Sequence, residues 1–108
     1  MGRGLRRGEV WLAEVGREPR PVVVLTRDEV LDVRSNVTVA EVTTQARGLS
    51  VEVPVGSDAG IGESSVVNCD GIHTVAQRRL TRRVGTVDDD VLRDICNAVA
   101  VAMACDGP

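Results

Sequence analysis

The chain has 108 residues, 43% of them hydrophobic, which suits one domain with a real core spanning residues 1–108. No apolar stretch is long enough to span a bilayer, and the basic start has no apolar segment behind it, so we expect a cytoplasmic protein with no membrane partner. The net charge of −3 excludes a generally basic nucleic-acid coat, so any anionic partner must bind at a local patch.

Cysteine and histidine usage bears on metal and redox chemistry. The three cysteines, Cys69, Cys96 and Cys105, are odd in number and show neither a CxxC motif nor a spacing that pairs them with His73. This pattern indicates neither a disulfide framework nor a zinc site. We therefore expect no metal and no cofactor, and we interpret the cysteines as small core side chains.

Six β-rich runs separated by turn signals follow one another along the chain. They cover residues 9–15, 21–27, 36–44, 49–55, 65–75 and 80–87. The third and fourth runs alternate between apolar and polar residues, as strands with one wet face do. Residues 22–25, "VVVL", are apolar throughout and predict a central strand covered on both faces. We expect the strands to close into a small barrel, because closure removes exposed sheet edges.

The last segment, residues 86–104, changes to the spacing of an amphipathic helix. Thr86 and Asp89 form a capping-box pattern that predicts Thr86 as the N-cap. Asp88, Asp89 and Asp90 lie in the predicted first turn, where the helix dipole favours negative charge. Because capping explains these aspartates, we do not interpret them as a metal site. The predicted fold is mainly β, an SH3-like small barrel, with a C-terminal α-helix.

Polar side chains recur where the predicted strands end, and the rims of a barrel bring strand ends together. They are Glu18 and Arg20, Thr43 and Thr44, Asn68 and Asp70, and His73. An arginine at a rim offers two parallel N–H donors to a phosphodiester, and a threonine hydroxyl adds a third. The 2′-hydroxyl of RNA can attack the adjacent phosphorus without a protein nucleophile or a metal, provided that an acid and a base are near.

Each of these residues also fits a purely structural role. An arginine at a strand edge commonly packs its stem and leaves its guanidinium in water, and threonines are good strand formers. His73 matches a half-buried histidine bonded to the backbone, and Asp70 with Gly71 is typical of a turn. The residues alone thus support a small barrel with an arginine-centred rim site and define no activity.

Six segments taken in order carry a resemblance to a known family. They are "RGEVWLAEV", "RPVVVLTRD", "TVAEVTT", "SVVNCDGIHTV", "RRLTRRVGTV" and "VLRDICNAVAVAM". Together they resemble the MazF/PemK toxins of type II toxin–antitoxin systems, from about Arg7 to about Met103. The resemblance implies an SH3-like barrel that works as a homodimer and cuts single-stranded RNA without metal. It also implies a cognate antitoxin that blocks the dimer with an acidic tail.

The resemblance further implies roles for individual residues. The arginine of the "RP" motif is catalytic in this family, so Arg20 would bind the scissile phosphate and protonate the leaving 5′-oxygen. Thr43, at the end of the third strand, would stabilise the charged transition state, with Thr44 one residue out of register. Glu18 matches the acid that some members use as general base. The expected products carry a 2′,3′-cyclic phosphate and a 5′-hydroxyl.

The chain contains neither phenylalanine nor tyrosine, so RNA bases would be read by hydrogen bonds and arginine stacking. The predicted substrate contacts are Arg27, Thr44, Arg47, Asn68, Asp70 and His73. Two other functions stay open: a CcdB-like toxin that binds DNA gyrase without catalysis, and an inactive SH3-like RNA-binding module. The "RP" arginine and the threonine after the third strand favour the ribonuclease.

Overall fold

A computed structural model describes residues 4–61 and 64–105 of the chain. The elements described are β1 (Glu9–Glu14), β2 (Pro19–Val24), α1 (Asp28–Leu31), β3 (Asn36–Thr43), β4 (Glu52–Val55), β5 (Ser65–Ala76), β6 (Leu80–Thr86) and α2 (Asp89–Ala102). Single 3₁₀ turns lie at Ser57–Ala59 and Gln77–Arg79. The predicted mainly β class with a C-terminal helix is confirmed. In the part of the chain described, no helix is long and apolar enough to cross a membrane.

The strands form one antiparallel sheet in the order β4-β5-β3-β2-β1-β6, which places β2 near its centre. Val22, Val23 and Val24 of β2 are fully buried. Val23 packs in the cluster that contains Ile95 of α2, whereas Val22 and Val24 pack in a second cluster that contains Leu31 of α1. The prediction of a central strand covered on both faces is confirmed.

The edges of the sheet do not pair with each other. Within the described residues β4 and β6 are the two edge strands, so the predicted closure by strand pairing is absent. The turn at Ser57–Ala59 packs against β6 instead, and a Cβ on Gly85 would overlap the backbone of Ala59. Gly60 has a φ of 80°, a left-handed conformation that glycine adopts without strain. This turn therefore covers the edge strand β6 by backbone packing, where a closed barrel would have hydrogen-bonded strand pairing.

β5 is a single strand of 12 residues with an irregularity in its pairing to β3. The register steps from Glu41 opposite Asn68 to Ala40 opposite Ile72, which leaves residues 69–71 as an insertion. The Asp–Gly pair in this insertion, which is typical of a turn, therefore forms a bulge inside a continuing strand.

The N-cap of α2 is Asp88, whose Oδ1 accepts a hydrogen bond from the backbone N–H of Val91 at 2.9 Å. The prediction of Thr86 as the N-cap is wrong. Thr86 is the last residue of β6, and the backbone N–H of Val87 still donates to the carbonyl of Gly8 at 2.9 Å. Because pairing with the first strand continues through Val87, the helix begins only after it.

The three cysteines are free and differ in their surroundings. Cys69 is fully buried beneath α2, which confirms its interpretation as a core side chain. Cys96 and Cys105 are exposed, so that interpretation is wrong for them. Cys96 lies on α2 beside the Arg7 guanidinium, with 2.7 Å between Nη2 and Sγ, and Cys105 follows the end of the helix.

Replacing Asp88 with alanine should lower the free energy of unfolding by about 1 kcal/mol, because it removes the side-chain acceptor at the start of α2. Urea denaturation followed by circular dichroism measures this loss. Thr86→Ala is the matched control, since it leaves the cap intact and should cost less. If Thr86→Ala lowers the free energy of unfolding more than Asp88→Ala does, Thr86 is the N-cap after all.

Stability should fall as the pH rises from about 9 to about 11, because burial raises the pKa of the Cys69 thiol from 9.0 to about 11. The folded protein then binds this proton more tightly than the unfolded chain does, so the stabilisation is complete below pH 9 and lost through pH 11. Lysine and tyrosine are absent, so few other groups titrate in this window.

Urea midpoints of the wild type and of Cys69→Ala at several alkaline pH values test this expectation. The variant should be less stable at pH 8 because its core contains a small cavity. It should also lack the alkaline decline that we expect of the wild type. The same decline in both proteins would show that another group is responsible.

Candidate active site

A pocket of about 430 Å³ lies where the β2, β3 and β5 strands meet the connection between β3 and β4. Five of the predicted site residues line it, namely Arg20, Thr43, Arg47, Asn68 and Asp70. Sequence analysis missed three polar residues that also line it, Glu41, Gln45 and Glu52. The structure thus brings together side chains that lie as much as 50 positions apart in the chain.

Strand register explains why these side chains share one face of the sheet. Val22 of β2 pairs with Glu41 of β3, and Glu41 pairs in turn with Asn68 of β5. Directly opposed residues of antiparallel strands point to the same face, and so do residues two apart in one strand. Arg20 and Thr43 therefore lie on the face of Glu41 and Asn68, opposite the face that packs against α2.

Arg20 supplies the positive charge of the pocket from the start of β2. Its side chain is exposed, and within residues 4–61 and 64–105 its guanidinium has no hydrogen-bonding or ion-pair partner. The planar guanidinium presents a fork of N–H donors whose geometry matches two oxygens of a phosphate. This arrangement leaves Arg20 available to bind an anion.

Thr43 lies at the end of β3, where the strand gives way to the connection that follows. Its Oγ1 accepts a hydrogen bond from the backbone N–H of Gln45 at 3.1 Å. The hydroxyl proton is not used in that bond, so Thr43 can donate it into the pocket. Thr44, the next residue, does not line the pocket.

The connection between β3 and β4 is anchored by the carboxylate of Glu52. Its oxygens accept hydrogen bonds from the backbone N–H of Arg47 at 3.0 Å and from that of Leu49 at 3.1 Å. These bonds, the one from Arg47 above all, hold the pKa of Glu52 below its ordinary value. The ionised Glu52 therefore fixes the segment that carries Arg47 to the edge of the pocket.

Glu41 lines the pocket from β3, and its Oε2 contacts Nε2 of His73. His73 therefore pairs with a carboxylate, where the structural alternative expected a bond to the backbone. The sequence carried a signal for Glu41, because it precedes Thr43 by two residues in an alternating strand and so shares its face. The contact with His73, 32 residues later, requires the register of β3 with β5.

The bulge in β5 shapes the wall beside Glu41. A Cβ built on Gly71 would lie 3.3 Å from Cδ of Glu41 and 3.1 Å from Nδ2 of Asn68. The Oδ1 atom of Asn68 accepts a hydrogen bond from the backbone N–H of Asp70 at 3.0 Å. The bare backbone at Gly71 thus lets the carboxyl group and the amide pack closely against the bulge.

Four predicted site residues lie outside this pocket. Glu18 and Thr44 are both exposed and do not line it. Arg27 lines a separate groove of about 690 Å³ against α2, and His73 lines a neighbouring pocket of about 610 Å³. The functional roles assigned to these four residues stay predictions.

The chemistry available in the pocket is that of an anion site with acceptors beside it. Arg20 and Arg47 carry positive charge, and Thr43 and Asn68 add neutral donors. Carboxylates from Glu41 and Asp70 stand next to them. The set can bind a phosphodiester, stabilise negative charge that develops on it, and accept a proton.

The chain matches a known protein family over most of its length. Residues 6–103 match the family described as the PemK-like, MazF-like toxin of type II toxin–antitoxin systems. The chain is 44% identical over 104 residues to the probable endoribonuclease MazF5 of Mycobacterium tuberculosis, covering 92% of this chain and 93% of that protein.

Two solved structures have the same fold. The Mycobacterium tuberculosis toxin MazF-mt6 gives a TM-score of 0.86 at 35% identity, with 92% of this chain and 99% of that chain covered. A mycobacterial endoribonuclease solved with its cognate antitoxin gives 0.87 at 24% identity, with 97% and 100% covered. Since the family match spans nearly the whole chain, this protein belongs to the PemK-like, MazF-like toxins of type II toxin–antitoxin systems.

Proposed function

We propose that this toxin is an endoribonuclease that cleaves single-stranded RNA at short sequences. The observation that carries the proposal is the guanidinium of Arg20, which has no partner among the described residues and lies on the same sheet face as the Thr43 hydroxyl, in one pocket. The similarity to a relative named as a probable endoribonuclease supports it. Arg47 and Asn68 add hydrogen-bond donors to the same pocket, so it can bind more of an RNA chain than one phosphate group.

In the proposed reaction the 2′-oxygen of the RNA attacks the adjacent phosphorus. The O2′–P bond forms and the P–O5′ bond breaks, which leaves a 2′,3′-cyclic phosphate and a 5′-hydroxyl. Arg20 would donate two parallel hydrogen bonds to the phosphate, and Thr43 would donate a third as charge develops on its oxygens. An alkoxide is a stronger base than neutral guanidine, so Arg20 can protonate the leaving 5′-oxygen and regain the proton from water.

This route uses the RNA's own hydroxyl as nucleophile and side chains to neutralise the phosphate, so we propose that it proceeds without a metal ion or cofactor. We propose further that nucleotides beside the cleaved bond contact Asn68, Asp70 and Arg47. Arg27 and Thr44, which lie outside the pocket, would contact nucleotides of the RNA that are farther from the cleaved bond.

We also propose the biological setting that the family suggests. The chain would act as one toxin domain over residues 1–108, as a homodimer in the cytoplasm, until a cognate antitoxin binds it. One structural neighbour was solved with its own cognate antitoxin, which supports such a partner. An acidic antitoxin segment would compete with RNA for Arg20 and Arg47, so raising the salt concentration should weaken its binding.

The family match favours cleavage over the two alternatives, and so does Arg20, whose guanidinium no other described residue binds. A toxin that acts only by binding gyrase does not require an arginine and a hydroxyl side by side in an anion-binding pocket, so it would not explain this arrangement. A non-catalytic RNA-binding module would bind RNA and leave it intact, which distinguishes it directly from the proposed enzyme.

Arg20→Ala should reduce cleavage of a long single-stranded RNA in EDTA by about a hundredfold or more, because it removes the charge-assisted donors to the phosphate. Thr43→Ala should lose less than Arg20→Ala, and Thr44→Ala less again. Sequencing of fragment ends and analysis of their terminal phosphates measure the cuts and identify the products.

Arg93→Ala is the matched control, because Arg93 lies on α2 outside the pocket and, in the described part of the chain, pairs with Asp90 at 3.4 Å. Circular dichroism and gel filtration confirm that each variant folds and assembles like the wild type. If Arg20→Ala cleaves RNA at the wild-type rate, the proposed catalytic role of Arg20 is wrong. A greater loss for Thr44→Ala than for Thr43→Ala would move the catalytic hydroxyl by one residue.

A further inference from the structure

We propose, on the basis of the proposed function, that Glu41 is the catalytic base that removes the 2′-hydroxyl proton, and that His73 is the residue that positions it. Neither residue of this pair has a role in the mechanism described so far. The pair joins β3 to β5 at the wall of the pocket that contains Arg20 and Thr43.

The location of Glu41 meets the geometric demand on a general base. Glu41 lies two residues from Thr43 on the same strand face, and β3 pairs with the strand that carries Arg20. Its side chain is 30% exposed, so the carboxylate reaches the pocket while much of it is shielded from water. A base must come within hydrogen-bond reach of the proton it takes, and this position provides that reach beside a phosphate held by Arg20.

Glu41 is also held in place from two sides. His73 contacts Oε2, which leaves Oε1 as the oxygen that can accept a proton from the substrate. The backbone of Gly71 packs beside Cδ, since a Cβ there would lie only 3.3 Å away. A carboxylate fixed in this way needs little reorganisation when the substrate binds.

The charge balance around Glu41 also fits the role. A lone carboxylate beside a phosphate would repel it, but Arg20 and Arg47 line the same pocket and His73 carries positive charge when protonated. On its other side His73 faces the neighbouring pocket, which is also lined by Glu14 and Arg79.

The other acids near the site are less suited to this role. Glu52 accepts hydrogen bonds from the backbone of its own loop, and Glu18 does not line the pocket. Asp70 lines the pocket, but it is exposed on the bulge, and among the residues described no side chain holds its carboxylate. Of these carboxylates Glu41 alone is both in the pocket and fixed with one oxygen available.

The proton balance of the step is complete without a further reactant. The O2′–H bond breaks and its proton passes to Oε1 of Glu41 as the O2′–P bond forms. The P–O5′ bond breaks, and the leaving oxygen takes its proton from Arg20. His73 holds Oε2 throughout the step, and exchange with water restores Glu41 and Arg20 after product release.

Single-turnover cleavage of a short RNA that contains one mapped cut site tests the proposal. Glu41→Gln should lower the rate by about a hundredfold or more, because glutamine keeps the contact with His73 but cannot take a proton. The same variant should bind an RNA with a 2′-deoxy residue at the cut site at least as tightly as the wild type does. Glu29→Gln, the same substitution at an exposed position on α1, is the matched control and should cleave at the wild-type rate.

The pH dependence separates a base from a merely structural residue. The wild-type rate should rise with pH over the range in which a carboxylate loses its proton, and Glu41→Gln should lose this rise. His73→Gln should keep the rise but cleave more slowly, because Glu41 then loses the imidazole that contacts and holds its Oε2. Arg20, Arg47, Glu52 and Asp70, the other charged groups lining the pocket, stay the same in both variants.

Other outcomes would overturn the proposal in distinguishable ways. If Arg20→Ala abolishes cleavage but Glu41→Gln retains the wild-type rate and pH profile, the ribonuclease assignment stands and Glu41 is not its base. If instead Asp70→Asn or Glu18→Gln loses the rise of the cleavage rate with pH, that residue is the general base. A folded wild-type protein that leaves every RNA intact would overturn both the proposed function and the role of Glu41.

Discussion

The candidate site depends on the register in which β3 pairs with β2 on one side and with β5 on the other. Val22, Glu41 and Asn68 lie side by side across these three strands, and Arg20 and Thr43 share their face. A slip of one residue in either pairing would turn part of this set toward α2. Buried apolar residues that alternate with the polar ones, such as Val42 between Glu41 and Thr43, penalise that slip because it would expose them to water.

The two faces of the sheet divide stability from chemistry. One face is covered by α2, and the other is apolar around Val22 and Val24 and becomes polar toward Arg20 and Thr43. β5 shows the same division within three residues. Asn68 and Asp70 line the pocket, while Cys69 between them is fully buried beneath the helix. The bulge that carries Asp70 is thus anchored in the core by the residue before it, Cys69.

The charges of the pocket also fall into two kinds. The guanidinium of Arg20 has no partner among the described residues, whereas the carboxylates of Glu41 and Glu52 are each held, by His73 and by backbone N–H groups respectively. An unpaired cation is what an incoming phosphate requires. A held carboxylate keeps its position beside that phosphate and does not neutralise the cation. This combination fits the proposed reaction, which needs a cation to bind the phosphate and a proton acceptor beside it.

The sequence by itself determined the six strands and the terminal helix, and it singled out Arg20 and Thr43 as candidates, because apolar periodicity and the family's ordered segments are local properties of the chain. Only the tertiary structure decided which polar residues meet. Alternation already placed Glu41 on the face of Thr43, but its contact with His73 depends on a bulge that shifts β5 by three residues. The position of the α2 N-cap at Asp88, one residue past Val87, depends likewise on the bond between Val87 and Gly8, which is distant in sequence. Long-range pairing is a property of the folded chain, and no short stretch of sequence encodes it alone.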